Sequence, residues 1–194
     1  MNSYRTPKGP KTIVLDRDGV INRDSSSYIK SAEEWIPISG SINAIARLHK
    51  PNFRVIIASN QSGLARGYFD EAALTRMHDK MNSLVEDSGG VISAIFYCPH
   101  SPDAGCSCRK PKTELLRRAE LEFDISLAGD YFVGDSLKDL QAAISFNMKP
   151  ILVRTGKGRQ TEISLSKEIR DQTRIFNDLD SAVNWILKKK VVRE

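Results

Sequence analysis

Asp16 and Asp18 flank Arg17 and lead into Gly19, at the end of the first apolar run of the chain. On an extended backbone, side chains two residues apart project to the same side, roughly 6 to 7 Å apart by the strand rise. One carboxylate can attack a small group while the other handles a proton. A carboxylate attacking a phosphate meets like charge, so the chemistry demands a cation. Mg2+ suits it, because it prefers oxygen ligands and is held by one or two carboxylates with a substrate phosphate. Asp135 would complete that site. Gly19 permits a sharp turn that would bring backbone N–H groups toward the phosphate. Ser59 offers a hydroxyl with the amides of Asn60 and Gln61 behind it, and Lys110 a compact ammonium. Together they could neutralise the equatorial oxygens of a phosphoryl group in transfer. Taken singly, Ser59 is an ordinary turn residue and Lys110 an ordinary surface lysine.

A second constellation is Cys98, His100, Cys106 and Cys108, a Cys-x-His-x5-Cys-x-Cys pattern. It is a complete Cys3His set for tetrahedral Zn2+, and four protein ligands leave no open position, as in a structural site. The chain has 3 cysteines, all in this segment. A disulfide framework would spread an even number along the chain, so a local metal or redox cluster in a reducing compartment is expected. A metal-knotted loop at 98–108 would fix Arg109 and Lys110, which follow it directly.

The elements that must position these groups alternate. β-branched runs at Thr12–Leu15, Phe53–Ala58, Ala94–Tyr97, Tyr131–Val133 and Ile151–Val153 predict strands. Helical spacing predicts helices over 41–49, 71–87 (capped by Asp70, stopped by Gly89-Gly90), 112–123, 140–146 and 181–189. No structure is assigned to the polar stretch 161–174. Strand–helix alternation at these lengths predicts an α/β fold, a Rossmann-like three-layer sandwich with a mainly parallel sheet. Ligands then bind at the carboxyl ends of the strands, where Asp16, Ser59 and Asp135 fall. Intervals of about forty residues between motifs, each filled by one helix, leave a minimal cap, and residues 1–194 read as one domain.

Composition excludes several classes. With 194 residues, 40% of them hydrophobic and 27% charged, the chain is too apolar for disorder. Its longest apolar runs are far short of the ~20 residues of a membrane span. The polar N-terminus lacks the apolar core of a secretion signal, so a cytoplasmic protein without membrane contact is expected. The net charge of +5 is read as solvated basic tails: Arg5, Lys8 and Lys11 at one end, Lys188, Lys189, Lys190 and Arg193 at the other. His49 and His78 lack partners at ligand spacing and read as structural. Trp35 and Trp185 read as packing; Lys157 in Arg154-Thr155-Gly156-Lys157-Gly158 could reach an anion, but a glycine-flanked lysine alone is weak evidence for a site.

Asp-x-Asp-Gly at the first strand end, Ser-Asn at the second, a lysine before the next helix and Gly-Asp-Ser-Leu-x-Asp at the fourth resemble the haloacid dehalogenase (HAD) superfamily of aspartate-nucleophile phosphatases. Within it, Asp16-Arg17-Asp18-Gly19-Val20-Ile21-Asn22, the run from Ser59 to Gly67 and the segment from Cys98 to Pro111 are similar to the D-glycero-D-manno-heptose 1,7-bisphosphate 7-phosphatase family. The resemblance spans Thr12 to about Gly158. It implies a HAD-like fold and an Mg2+-dependent phosphatase removing the 7-phosphate of a heptose bisphosphate, in heptose-nucleotide biosynthesis for lipopolysaccharide or surface glycans. By the same resemblance, Asp16 is the nucleophile that forms an aspartyl-phosphate, and Asp18 the acid and then base. The carboxylates of Asp16 and Asp135 and the carbonyl of Asp18 hold Mg2+, while Ser59 and Lys110 steady the phosphoryl group. Arg109, the loop Asp24, Ser25, Ser26 and Ser27, the residues Asn60, Gln61 and Ser62, and Arg66 bind substrate. Members commonly carry a lysine after the fourth-motif aspartate, where this chain has Ser136.

The expected partner is a small phosphorylated sugar, with no nucleic acid and a monomeric chain; the preferred anomer is not legible. Rival readings are a histidinol-phosphate phosphatase, a polynucleotide 3′-phosphatase, a receiver-type phosphoacceptor domain and a zinc-stabilised nucleic-acid-binding protein. A receiver would keep its acceptor aspartate on the third strand, where Cys98 stands. A nucleic-acid binder would show interleaved aromatics or a basic helix at its metal loop. The segment Leu64-Ala65-Arg66-Gly67-Tyr68-Phe69 fits the heptose enzymes better than the other phosphatases.

Overall fold

The structure, a computed structural model, describes residues 11–191. Six strands form one sheet: β1 (Thr12–Leu15), β2 (Arg54–Asn60), β3 (Ala94–Cys98), β4 (Tyr131–Gly134), β5 (Lys149–Val153) and β6 (Arg174–Phe176). Their order is β3-β2-β1-β4-β5-β6, and every pairing is parallel. Helices α1 (Ser41–His49), α2 (Glu71–Asp87), α3 (Glu114–Phe123), α4 (Leu137–Ser145), α5 (Gly158–Ser164), α6 (Lys167–Gln172) and α7 (Leu179–Val191) connect and cover it.

Strand alternation divides the core in two. Ile13, Leu15, Val55, Ile57, Val133, Ile151 and Val153 point to one face and pack with apolar residues of α1, α2 and α7. Val14, Ile56, Ala58, Phe96 and Phe132 point to the other and meet α3 and α4. The strands are buried on both sides, as a parallel sheet requires. Three layers result, the architecture the alternation predicts.

Most strands and helices differ from the expected bounds by one to three residues, and four of these differences bear on the site or on the unassigned stretch. β2 runs on to Asn60, carrying Ser59 into the sheet rather than into a turn. α3 begins at Glu114, four residues beyond Lys110, rather than at Lys112. α4 begins at Leu137 because Ser136 caps it, its N–H and hydroxyl donating to Asp139 Oδ2 at 3.0 and 2.7 Å. The unassigned stretch 161–174 holds α6, the rest of α5 and the first residue of β6.

The chain adds β2 and β3 on one side of β1, then returns to place β4 on the other. That reversal opens a crevice between the loops after β1 and β4, the position where open α/β sheets bind ligands. Asp16 and Asp135 lead out of those two strands.

Candidate active site

Asp16, Asp135 and Asp139 each bring a carboxylate oxygen within 4.8 Å of the others. Asp139 comes from the first turn of α4, one helical turn beyond Asp135, and is 1% exposed. One buried ammonium faces this charge. Lys110 Nζ lies 2.9 Å from Asp16 Oδ1 and 2.6 Å from Asp139 Oδ1, and donates to the Ala58 carbonyl at 2.7 Å. Asn60 fixes the lysine's backbone: its Oδ1 accepts from Lys110 N–H at 3.0 Å and its Nδ2 donates to Lys110 O at 3.2 Å.

Burial and mutual repulsion set the titration of this cluster. Burial raises Asp16; Lys110 opposes, Asp139 and Asp18 reinforce, and its pKa stands at about 7. Burial, then the charges of Asp16 and Asp139, push Asp135 to about 8. Burial would lower Lys110, but Asp139 and Asp16 outweigh it and hold the amine above its ordinary value. Three carboxylates against one ammonium leave negative charge that a divalent, oxygen-loving cation would neutralise, so the donor set fits Mg2+.

Glycines shape the cradle. Gly19 (φ 82°) and Gly156 (φ 55°) cross in contact, and a Cβ on either would sit 2.1 Å from Asp135 Oδ2. Gly19 makes the expected turn at positive φ, and the structure adds a second reason for glycine there. Its N–H donates to Asn22 O at 2.8 Å and is not offered to a ligand; glycine is required because Asp135 passes where a side chain would be.

Asp18 stands outside the carboxylate cluster in a network of its own. Arg17, 1% exposed, donates from Nη2 to both Asp18 oxygens at 3.0 Å and from Nε to Oδ1 at 3.2 Å. Asn22 Nδ2 donates to Oδ1 at 2.8 Å and Gln61 Nε2 to Oδ2 at 2.9 Å. Burial alone would raise Asp18, but the Arg17 charge and these hydrogen bonds outweigh it and hold the carboxyl below its ordinary value. His78 Nε2 lies 3.5 Å from Arg17 Nη1. Burial, then the Arg17 charge, depress it to about 4, so it is a neutral packing partner near neutral pH.

Gln61 needs reassigning. Its side chain donates to Ser59 Oγ at 2.7 Å as well as to Asp18, and accepts from Arg17 at 3.0 Å. Its backbone N–H donates to Cys98 O at 2.8 Å. Neither amide is left for a phosphate or sugar, because both are consumed inside the fold. Asn60 is likewise engaged with Lys110, and Ser62 is buried. Of the other expected substrate contacts, Asp24, Ser25 and Arg109 are half-buried, and Ser26, Ser27 and Arg66 lie open to solvent. Arg109 Nη1 donates to His100 O at 3.3 Å, and Asp24 pairs with Lys157 at 2.9 Å.

Cys98, His100, Cys106 and Cys108 converge beside this site. Cys106 Sγ is 3.6 Å from both other sulfurs, and His100 Nδ1 is 3.7 Å from Cys98 and 3.2 Å from Cys108. Zn–S bonds of about 2.3 Å make a tetrahedral edge of about 3.7 Å, so the four atoms suit Zn2+. The loop is tied down by Lys112, whose Nζ donates to Gly105 O at 3.0 Å.

Two contributors escape sequence reasoning. Asp139 is the last residue of the motif Gly-Asp-Ser-Leu-x-Asp. Its signal was Ser136 followed three residues later by an acid, a capping-box spacing that starts a helix at 137 and turns Asp139 toward Asp135. Arg17 sits between two obvious carboxylates, and nothing in its spacing announces that it is buried.

A HAD-hydrolase-like family model matches residues 107–182. A D-glycero-beta-D-manno-heptose-1,7-bisphosphate 7-phosphatase of Pseudomonas putida is 52% identical over 169 residues, spanning 87% of this chain and 95% of the relative. The enzyme of the same name from Pseudomonas aeruginosa is 49% identical, spanning 91% and 97%. The crystal structure of D,D-heptose 1,7-bisphosphate phosphatase from B. bronchiseptica, complexed with magnesium and phosphate, is similar with a TM-score of 0.87. It is 48% identical and covers 92% of this chain and 99% of its own.

Proposed function

Since the chain belongs to the D-glycero-beta-D-manno-heptose-1,7-bisphosphate 7-phosphatase family, we propose that it hydrolyses the 7-phosphate of that sugar bisphosphate, in the β anomer its relatives' names carry. The observation that carries this reading is the meeting of Asp16, Asp135, Asp139 and Lys110 at the sheet's switch point. One sheet from Thr12 to Phe176 supports a single phosphatase domain.

The carboxylates of Asp16 and Asp135 and the carbonyl of Asp18, with Asp139 beside them, would hold Mg2+, which supplies charge neutralisation between the attacking carboxylate and the phosphate. Asp16 attacks phosphorus through a carboxylate oxygen, the bond from phosphorus to the sugar oxygen breaks, and Asp18 delivers a proton to that oxygen. Asp18, then a carboxylate, takes a proton from water as the water oxygen bonds to phosphorus and the aspartyl ester opens, releasing phosphate. Lys110 and Ser59 steady the phosphoryl oxygens in both steps. Because Arg17 favours the ionised form of Asp18, its network serves the second step as it stands. The first step requires Asp18 to carry a proton against that bias.

The Cys3His loop would hold a structural Zn2+ and fix Arg109 and Lys110. Arg109, Arg66 and the loop from Asp24 to Ser27, each half-buried or exposed, would meet the sugar. Among the described residues no helix is long and apolar enough to cross a membrane.

The test is an Mg2+-dependent phosphate-release screen. The heptose 1,7-bisphosphate should be turned over far faster than histidinol phosphate or a 3′-phosphorylated oligonucleotide, and Asp16→Asn should abolish release with the fold intact. A preference for either competitor, or activity of more than a few per cent in Asp16→Asn, would refute the reading.

A further inference from the structure

The loop after β5 reaches over the carboxylate cluster. Thr155 Oγ1 donates to Gly19 O at 2.6 Å, Thr161 Oγ1 to Asp135 O at 2.9 Å, and Lys157 N–H to Asp135 Oδ2 at 2.7 Å. With Gly156 packed on Gly19, the backbone of Lys157 is fixed against Asp135. Its side chain is not. Lys157 is 67% exposed, and its ammonium lies 2.9 Å from Asp24 Oδ2, a carboxylate only 19% exposed. The lysine thus spans from Asp135 to the loop that follows the Asp16–Asp18 turn.

We infer that Lys157 is a specificity-determining residue, which leaves Asp24 to bind the substrate phosphate that is not cleaved. This rests on the proposed function, since only a bisphosphate has such a group. An ion pair with so exposed an ammonium is weak and readily exchanged. A dianionic phosphate is a stronger partner than one carboxylate, and lysine is suited to it as a mobile point charge. The cleaved phosphate already has Lys110 on the β3 side of the crevice. Lys157 stands on the β5 side, so the two amines bracket the crevice. The exchange also frees the carboxylate of Asp24 to accept a hydrogen bond from a sugar hydroxyl. The Asp24 carboxylate holds the ammonium beside the loop that follows the Asp16–Asp18 turn.

A purely structural role, tying two loops, would affect every substrate alike. The test therefore compares Lys157→Met, Lys157→Gln and Lys157→Arg with wild type on the heptose 1,7-bisphosphate and on the heptose 7-monophosphate. The neutral variants should lower the ratio of kcat/KM for bisphosphate over monophosphate by about tenfold or more, mostly through KM, and arginine should restore much of it. Product inhibition by the heptose 1-phosphate, which carries only the uncleaved group, should weaken to a similar degree. An unchanged ratio, whether both activities persist or fall together, would overturn the inference. If wild type turns over neither sugar, the proposed function fails and takes this one with it. A wild type that prefers bisphosphate, with variants that do so equally, defeats only the role of Lys157.

Discussion

Asp139 touches Lys110, caps α4 and completes the carboxylate cluster, so its charge matters more than its volume. Asp139→Asn keeps the shape and leaves Lys110 paired with Asp16 alone. Mg2+ affinity and kcat should each fall by about tenfold or more, because the cluster loses one of its three negative charges and Lys110 then competes for Asp16 alone. Isothermal titration with Mg2+ and steady-state kinetics check this. The raised pKa values of about 7 for Asp16 and about 8 for Asp135 carry a second consequence. The metal-free folded chain keeps protons that the unfolded chain releases near pH 3.8, so this stabilisation is complete below that pH and lost as pH rises through 7 and 8. Mg2+ binds the deprotonated forms. Its stabilising effect should therefore grow from about pH 6 to about pH 8.5, read as the rise in Tm on adding saturating Mg2+ at each pH. At this scale the sequence was legible where chemistry and spacing coincide, at Asp16, Asp18, Asp135 and the Cys3His set. It was opaque where a polar group is consumed internally. Gln61 looks like a ligand-facing amide at a strand end, and only its contacts with Asp18, Ser59, Arg17 and Cys98 reveal that it is spent.

The elements deliver these residues through two loops with little tolerance. Gly156→Ala puts a methyl group 2.1 Å from Asp135 Oδ2 and 2.5 Å from Gly19 Cα, at a φ of 55° that alanine resists. Neither neighbour can yield without moving the Asp135 carboxylate or the turn after β1. The variant should lose most activity and several degrees of Tm, whereas Gly129→Ala, with nothing within 4 Å of the added atom, should lose stability through its backbone alone and keep its kcat. The other loop, 98–108, buries little apolar surface, so its rigidity would come from a metal. Zinc analysis should give about one ion per chain. Stripping it should lower Tm and leave activity depressed even with Mg2+ restored, because Lys110 follows Cys108 by two residues. An unchanged Tm after verified removal would sink that account. Long periodic segments such as α1 and α2 were plain in the sequence because an apolar stripe at helical spacing has few alternatives. β6 was not. It is a three-residue edge strand whose Ile175 and Phe176 make too short a pattern, and it is defined by pairing with β5 rather than by its own residues.

At the scale of the whole molecule, the charge reading also shifts. Arg5, Lys8 and Arg193 lie outside the described residues, but Lys11 and Lys189, expected in solvated tails, line one cavity with Lys149 and Arg174 at the opposite end of the sheet from the carboxylates. Arg174 and Lys189 lie over Trp185, 4.6 and 4.8 Å from its ring centre, and Lys149 lies 5.4 Å from that of Tyr131. Among the described residues no carboxylate pairs with any of the four. The described residues thus gather negative charge at one end of the sheet and, at the other, cations without a carboxylate partner among them, and the aromatic faces relieve only part of the repulsion. Screening over a Debye length of about 10 Å at 0.1 M salt, falling to about 3 Å at 1 M, should weaken that repulsion. Lys11→Glu would place a carboxylate among three cations without disturbing a ring contact. It should raise stability at low salt by about 0.5 to 1 kcal/mol, or roughly 1 to 4 °C in Tm for a chain of this size. The advantage should shrink toward zero in 1 M salt, while kcat stays at the wild-type value. A gain that persists undiminished at high salt would mean that packing, not charge, governs this end of the sheet.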